Sequence, residues 1–147
     1  MRVRIILVAI VVGSFLFIIS ASILAQVLYT TTFSTYGNVI TAGVGVYWDD
    51  ECTNPVDSIN WASVEPGGVK DRACYIRNEG NSAKVLSFET SNWNPSSAQN
   101  YMTLSWNYGG QFINPNDVVK VRFTLSVSNS ITGITRYSFD ITVIGSG

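Results

Sequence analysis

The residues best suited to chemistry in this sequence are two cysteines, Cys52 and Cys74, and a carboxylate run at Asp49-Asp50-Glu51 with Asp57 close behind. Two thiols without a CxxC spacing do not make a redox pair. In an exported chain they are expected to join as a structural disulfide, which would constrain the unfolded chain by about 3 kcal/mol. The carboxylates supply hard oxygen ligands that could hold Ca²⁺, but their spacing is not that of an EF-hand, and a solvated loop is the simpler expectation. The 147 residues contain no histidine, which removes Ser-His-Asp and Cys-His nucleophiles, HExxH zinc proteases and the usual zinc and copper sites together. No GxGxxG or phosphate loop occurs. Glu65, Glu79 and Asp117 lie in turn-forming segments, where carboxylates are ordinarily solvated rather than paired as an acid and a base. The reading is therefore non-enzymatic, with no cofactor and no metal expected. Among Trp48, Trp61, Trp93 and Trp106, the one hardest to assign to a core is Trp93, in Asn92-Trp93-Asn94-Pro95. With Tyr101 it forms a candidate ligand-binding pair: an aromatic ring flanked by amides can stack on a sugar and bond its hydroxyls. Packing over the end of a sandwich is the competing role.

These residues must be carried by the segments around them, and the chain divides into two. After Arg2 and Arg4 no charge appears until Asp49, and Ile5 to Leu28 is almost wholly apolar. As a helix this stretch would reach about 36 Å, enough to cross a hydrocarbon core of about 30 Å. Positive residues before it, and no Lys or Arg after it until Lys70, orient the N-terminus to the cytoplasm and the remainder outside. Residues 1–28 thus read as an uncleaved anchor or as a signal peptide, with Ser20-Ala21-Ser22 a usable cleavage site. Either fate gives an exported domain, membrane-held or secreted. From Gln26 onward seven basic residues face ten acidic ones, a net charge of −3 with the signs interspersed, so no basic stripe for nucleic acid exists.

Beyond the anchor the pattern has period two. Residues 29–38 read as a juxtamembrane segment or first strand, and residues 39–147 as an all-β domain. Ile40, Ala42, Val44, Val46 and Trp48 are expected on one face of a continuous first strand. Ile59, Trp61 and Val64 suggest a short second strand, and Val69 to Arg77 a third, with Ala83 to Thr90 as its hairpin partner. Residues 92–100 read as a loop. Tyr101 to Tyr108 reads as a strand ended by a tight turn at Gly109-Gly110. Val119, Val121, Phe123, Leu125 and Val127 mark the inner face of the clearest strand, and Tyr137, Phe139, Ile141 and Val143 that of the last. Val64-Glu65-Pro66-Gly67-Gly68-Val69 and Ile113-Asn114-Pro115-Asn116-Asp117-Val118 share one form, each a turn delivering the chain into a long strand. Seven or eight strands at this spacing predict an immunoglobulin-like β-sandwich preceded by one transmembrane or signal helix.

The order of features, with Val39 to Trp48, Val64-Glu65-Pro66-Gly67-Gly68 and Tyr75-Ile76-Arg77-Asn78-Glu79-Gly80-Asn81 as the matching pieces, resembles the TasA/camelysin family of exported fibre proteins and the similar archaeal bundling-pilus subunits. The resemblance covers about the first half of the exported domain. It implies filament assembly in which one subunit's N-terminal strand completes the next subunit's sheet. Protease activity does not follow from it, because the chain lacks histidine. The candidate donor is the uncharged, β-branched and aromatic run from Val27 to Tyr36, which includes Leu28, Tyr29 and Phe33. The partners expected are the membrane, further copies or other envelope proteins, with a tethered carbohydrate-binding module as the alternative function.

Overall fold

The computed structural model describes residues 34–147. The expected anchor at residues 1–28 lies outside them, as do Val27, Leu28, Tyr29 and Phe33 of the candidate donor segment. No helix among the described residues is long and apolar enough to cross a membrane. Eight strands follow in order: β1 (Ser34–Ala42), β2 (Val44–Tyr47), β3 (Ser58–Asn60), β4 (Val69–Asn78), β5 (Val85–Asn94), β6 (Met102–Trp106), β7 (Val118–Val127) and β8 (Arg136–Ser146). A single 3-10 turn, Ser96–Asn100, separates β5 from β6.

The strands form two four-stranded sheets, ordered β3-β1-β8-β5 and β2-β4-β7-β6, packed as a β-sandwich. Alternation builds the core as the sequence leads one to expect. Val121, Phe123, Leu125 and Val127 of β7 meet Tyr137, Phe139, Ile141 and Val143 of β8 across the interior, with Trp61, Ile59 and Ile76 fully buried between them. Among the described residues every strand pairing is antiparallel except one: β1 runs parallel to β8 in continuous register from Ser34↔Arg136 to Ala42↔Ile144. The two Pro-containing turns are alike in structure as well as sequence. Gly68 N bonds Glu65 O at 2.8 Å and Asp117 N bonds Asn114 O at 3.0 Å. A positive φ follows the proline in each, at Gly67 and Asn116, as type II turns require.

Three expectations are corrected. The first strand is not continuous. Gly43, at φ 73°, breaks it so that β1 lies in one sheet and β2 in the other. The break also reverses which face is inward: Ile40 is 48% exposed while Val44 and Val46 are buried. Ala83 to Thr90 is not the hairpin partner of the third strand either. After Asn78 the chain crosses to the opposite sheet, where β5 pairs with β8. Residues 92–94, read as loop, continue β5 through an irregularity between Ser91 and Asn94, where Asn92 takes φ 52°. That extra residue shifts the alternation and turns Trp93 inward.

Candidate functional site

The N-terminal strand β1 sits in a seat built by both its neighbours. Ile59 of β3 is paired opposite Gly37, and β8 runs along its other side. Gly37 is buried at the point of closest approach: a Cβ there would lie 3.3 Å from both Ile141 Cδ1 and Trp61 Nε1. The strand can press onto the Trp61 ring only because this position carries no side chain. Trp61 Nε1 is buried and has no hydrogen-bond partner among the described residues.

On the outer face, a polar chain locks the register. Asn38 Nδ2 donates to Asp140 Oδ1 at 3.0 Å, and Asn92 Nδ2 donates to Asp140 Oδ2 at 2.7 Å, so one carboxylate ties β1, β8 and β5 together. The bonds from Asn92 and then Asn38 favour the charged form and hold the Asp140 carboxyl below its usual range. Tyr36, the last residue of the candidate donor segment, stands 57% exposed on this face, opposite Asn60 and Ser138.

A second polar group lies on the outside of the other sheet. Arg77 donates to Glu79 at 2.8 Å and to Tyr47 Oη at 3.0 Å, its guanidinium lies 5.0 Å from the Tyr47 ring centroid, and Tyr47 donates to Glu79. Hydrogen bonds from Tyr47 and then Arg77 depress the Glu79 carboxyl, and the same contact with Glu79 raises the Tyr47 phenol. The arrangement fixes the end of β4 against β2.

The expected Cys52–Cys74 disulfide is not formed; both thiols are free and buried. Cys74 faces the core from mid-β4, whereas Cys52 sits at φ 57° in the turn after β2, its Sγ 3.7 Å from Asp50 O. Burial pushes the Cys74 thiol up to about 12 and also raises that of Cys52. The acidic loop uses its first carboxylate internally. Asp49 accepts from Thr53 N at 2.8 Å, Thr53 Oγ1 at 3.1 Å and Asn54 N at 2.7 Å, so its pKa is lowered, chiefly by the Thr53 amide. Among the described residues, Asp50, Glu51 and Asp57 do not gather with it into a group able to hold a metal ion.

Trp93 and Tyr101 are not brought together as one site. Trp93 is half-buried and stacks on Phe139, with centroids 4.1 Å apart and planes at 13°, and its Nε1 donates to Thr90 Oγ1 at 3.3 Å. It also lines a groove of about 450 Å³ between the β5 and β6 edges, which Tyr101 does not reach. Tyr101 packs half-buried against the core, and its carbonyl accepts from Ser128 N at 2.7 Å.

The residue most tightly bonded in the interior is Asn78, the only fully buried polar side chain among those described. Its Nδ2 donates to Ser82 O at 2.7 Å and Ile113 O at 3.0 Å, while its Oδ1 accepts from Gly80 N at 2.9 Å. It joins the crossover after β4 to the loop before β7. In sequence, Asn78-Glu79-Gly80 signals only a turn; nothing local reveals the remote partner at Ile113. No protein-family model matches this chain, and no curated protein resembles it significantly in sequence.

Proposed function

We propose that this protein is a non-enzymatic structural subunit of the cell surface, an immunoglobulin-like sandwich that assembles with further copies by exchanging its N-terminal strand. Residues 1–28 export it and tether it to the membrane, or leave it secreted once cleaved. The observation that carries this reading is the parallel insertion of β1 between β3 and β8. Among the described residues β3 joins its sheet through β1 alone, so the seat is incomplete without that strand. Only Gly43, already in a left-handed conformation, separates β1 from β2 in the opposite sheet. A strand from a second copy would make the same ladder, the same Gly37 contact on Trp61 and the same Asn38–Asp140 bond in trans. Exchange then costs little beyond association entropy and becomes favourable at high local concentration. An uncleaved anchor restricts the movement of β1, so cleavage favours open assembly and retention favours the closed monomer.

The test is sedimentation of the exported domain after refolding at low and at high concentration. Oligomers that form only at high concentration and dissociate only on unfolding support strand exchange. A monomer at every concentration would sink it.

A further inference from the structure

A second feature, independent of assembly, is the groove between β5 and β6, the end strands of the two described sheets. It is lined by Thr90 and Trp93 on one side and by Gln99, Asn100, Thr103 and Leu104 on the other, and no ionisable side chain faces into it. Its volume, about 450 Å³, lies within the range of small-ligand sites, roughly 300–1,000 Å³. Its chemistry is specific. Trp93 is held rigid from behind by Phe139 and at its edge by the Thr90 hydroxyl, which accepts the indole N–H and keeps its own O–H to donate. The side chains of Gln99, Asn100 and Thr103 make no hydrogen bond among the described residues, so two amides and a hydroxyl stand ready beside the ring. The 3-10 turn Ser96–Asn100, whose Ala98 is fully buried, sets the two amides on a supported backbone.

We infer that this groove binds a neutral saccharide, with Trp93 as the aromatic wall and Gln99, Asn100, Thr90 and Thr103 bonding the hydroxyls. A sugar ring presents alternating hydroxyl edges and a C–H face. The weakly positive C–H groups suit the negative face of an indole, while amides and hydroxyls exchange hydrogen bonds with the rim. An anionic glycan or an acidic peptide lacks a cation here to meet it, and an apolar ligand would leave both amides unpaired.

The experiment titrates the full chain in detergent with cellohexaose, maltohexaose and chitohexaose, following the indole N–H resonances by NMR. The Trp93 signal is assigned by its loss in Trp93→Phe. At least one hexasaccharide at millimolar concentration should shift the Trp93 resonance saturably while those of Trp48 and Trp61 stay in place. The Gln99→Ala/Asn100→Ala variant alters two exposed residues, so it keeps the parent melting temperature. Its affinity should fall about tenfold or more, the loss of one or two good hydrogen bonds. No shift with any of the three sugars, or a shift undiminished in the double variant, overturns the inference.

Discussion

Replacing Asn78 with alanine should destabilise the domain by about 2–4 kcal/mol. The side chain makes three hydrogen bonds, and each is worth about 1 kcal/mol net, more where the abandoned group stays dry. The three abandoned groups differ. Ile113 O keeps a second bond, from Lys84 N at 2.9 Å, and Ser82 is exposed enough for water to replace the amide. Gly80 N, half-buried, loses its acceptor. Asn78→Asp sharpens the test, because it preserves shape and keeps the acceptor for Gly80 N while turning an oxygen toward two carbonyls. Burial beside those carbonyls raises the folded-state pKa of the introduced carboxyl above its unfolded value. Its penalty is therefore smallest below the unfolded pKa of about 4 and grows as pH rises through the folded one. At neutral pH the aspartate variant should be less stable than the alanine variant, and the order should narrow or reverse near pH 4. Urea unfolding followed by tryptophan fluorescence at the two pH values measures both. An alanine variant within about 0.5 kcal/mol of the parent, or an aspartate variant milder than alanine at pH 7, would refute the role given to this residue.

Gly37→Val should cost about 1–3 kcal/mol, since even its Cβ would lie 3.3 Å from Ile141 Cδ1 and Trp61 Nε1 and the two methyls add further bulk in a packed seat; unchanged urea stability would contradict the tight seating of β1. The depressed Asp140 carboxyl contributes stability that is present above the unfolded carboxylate pKa and is lost as pH falls through the folded one. The parent should thus lose more melting temperature than Asp140→Asn between pH 6 and pH 2.5, and parallel pH profiles would count against the Asn38–Asp140–Asn92 tie. Titration with a thiol reagent under native conditions should leave Cys74 unmodified, and both thiols should react in urea without reductant. Silent thiols in urea would restore the disulfide.

The long strands were legible because their environments are regular. β7 and β8 alternate without interruption, so Val121, Phe123, Leu125, Phe139, Ile141 and Val143 could be assigned to the core from spacing alone. Failure came where one residue changes the parity. Apolar residues continue on even positions through Gly43, yet its left-handed φ sends the chain to the other sheet, so Ile40 and Val44 end on opposite sides of the sandwich wall. Asn92 does the same to Trp93. Neither glycine nor asparagine declares in sequence whether it will take a positive φ. The pairing of β5 with β8 rather than β4 was hidden for another reason: a short turn favours a local hairpin, and only burial of Leu86 and Phe88 against the second half of the chain decides otherwise. Of the candidate donor run from Val27 to Tyr36, only Ser34 to Tyr36 fall among the described residues, where they open β1. The Gly37 notch, the Asp140 tie and the groove beside Trp93 depend on contacts between residues far apart in sequence.

The central claim, that the β1 seat can be filled by a neighbouring copy, is tested most directly by a cysteine pair at positions 38 and 140. These residues are register partners whose side chains already touch at 3.0 Å. In a Cys52→Ser background, with Cys74 inert in the core, the pair would be oxidised on material assembled at high concentration and examined on non-reducing denaturing gels. Strand exchange predicts a ladder of covalent multimers that collapses to monomer on reduction. Cross-linking that closes only within single chains, at every concentration, would contradict it.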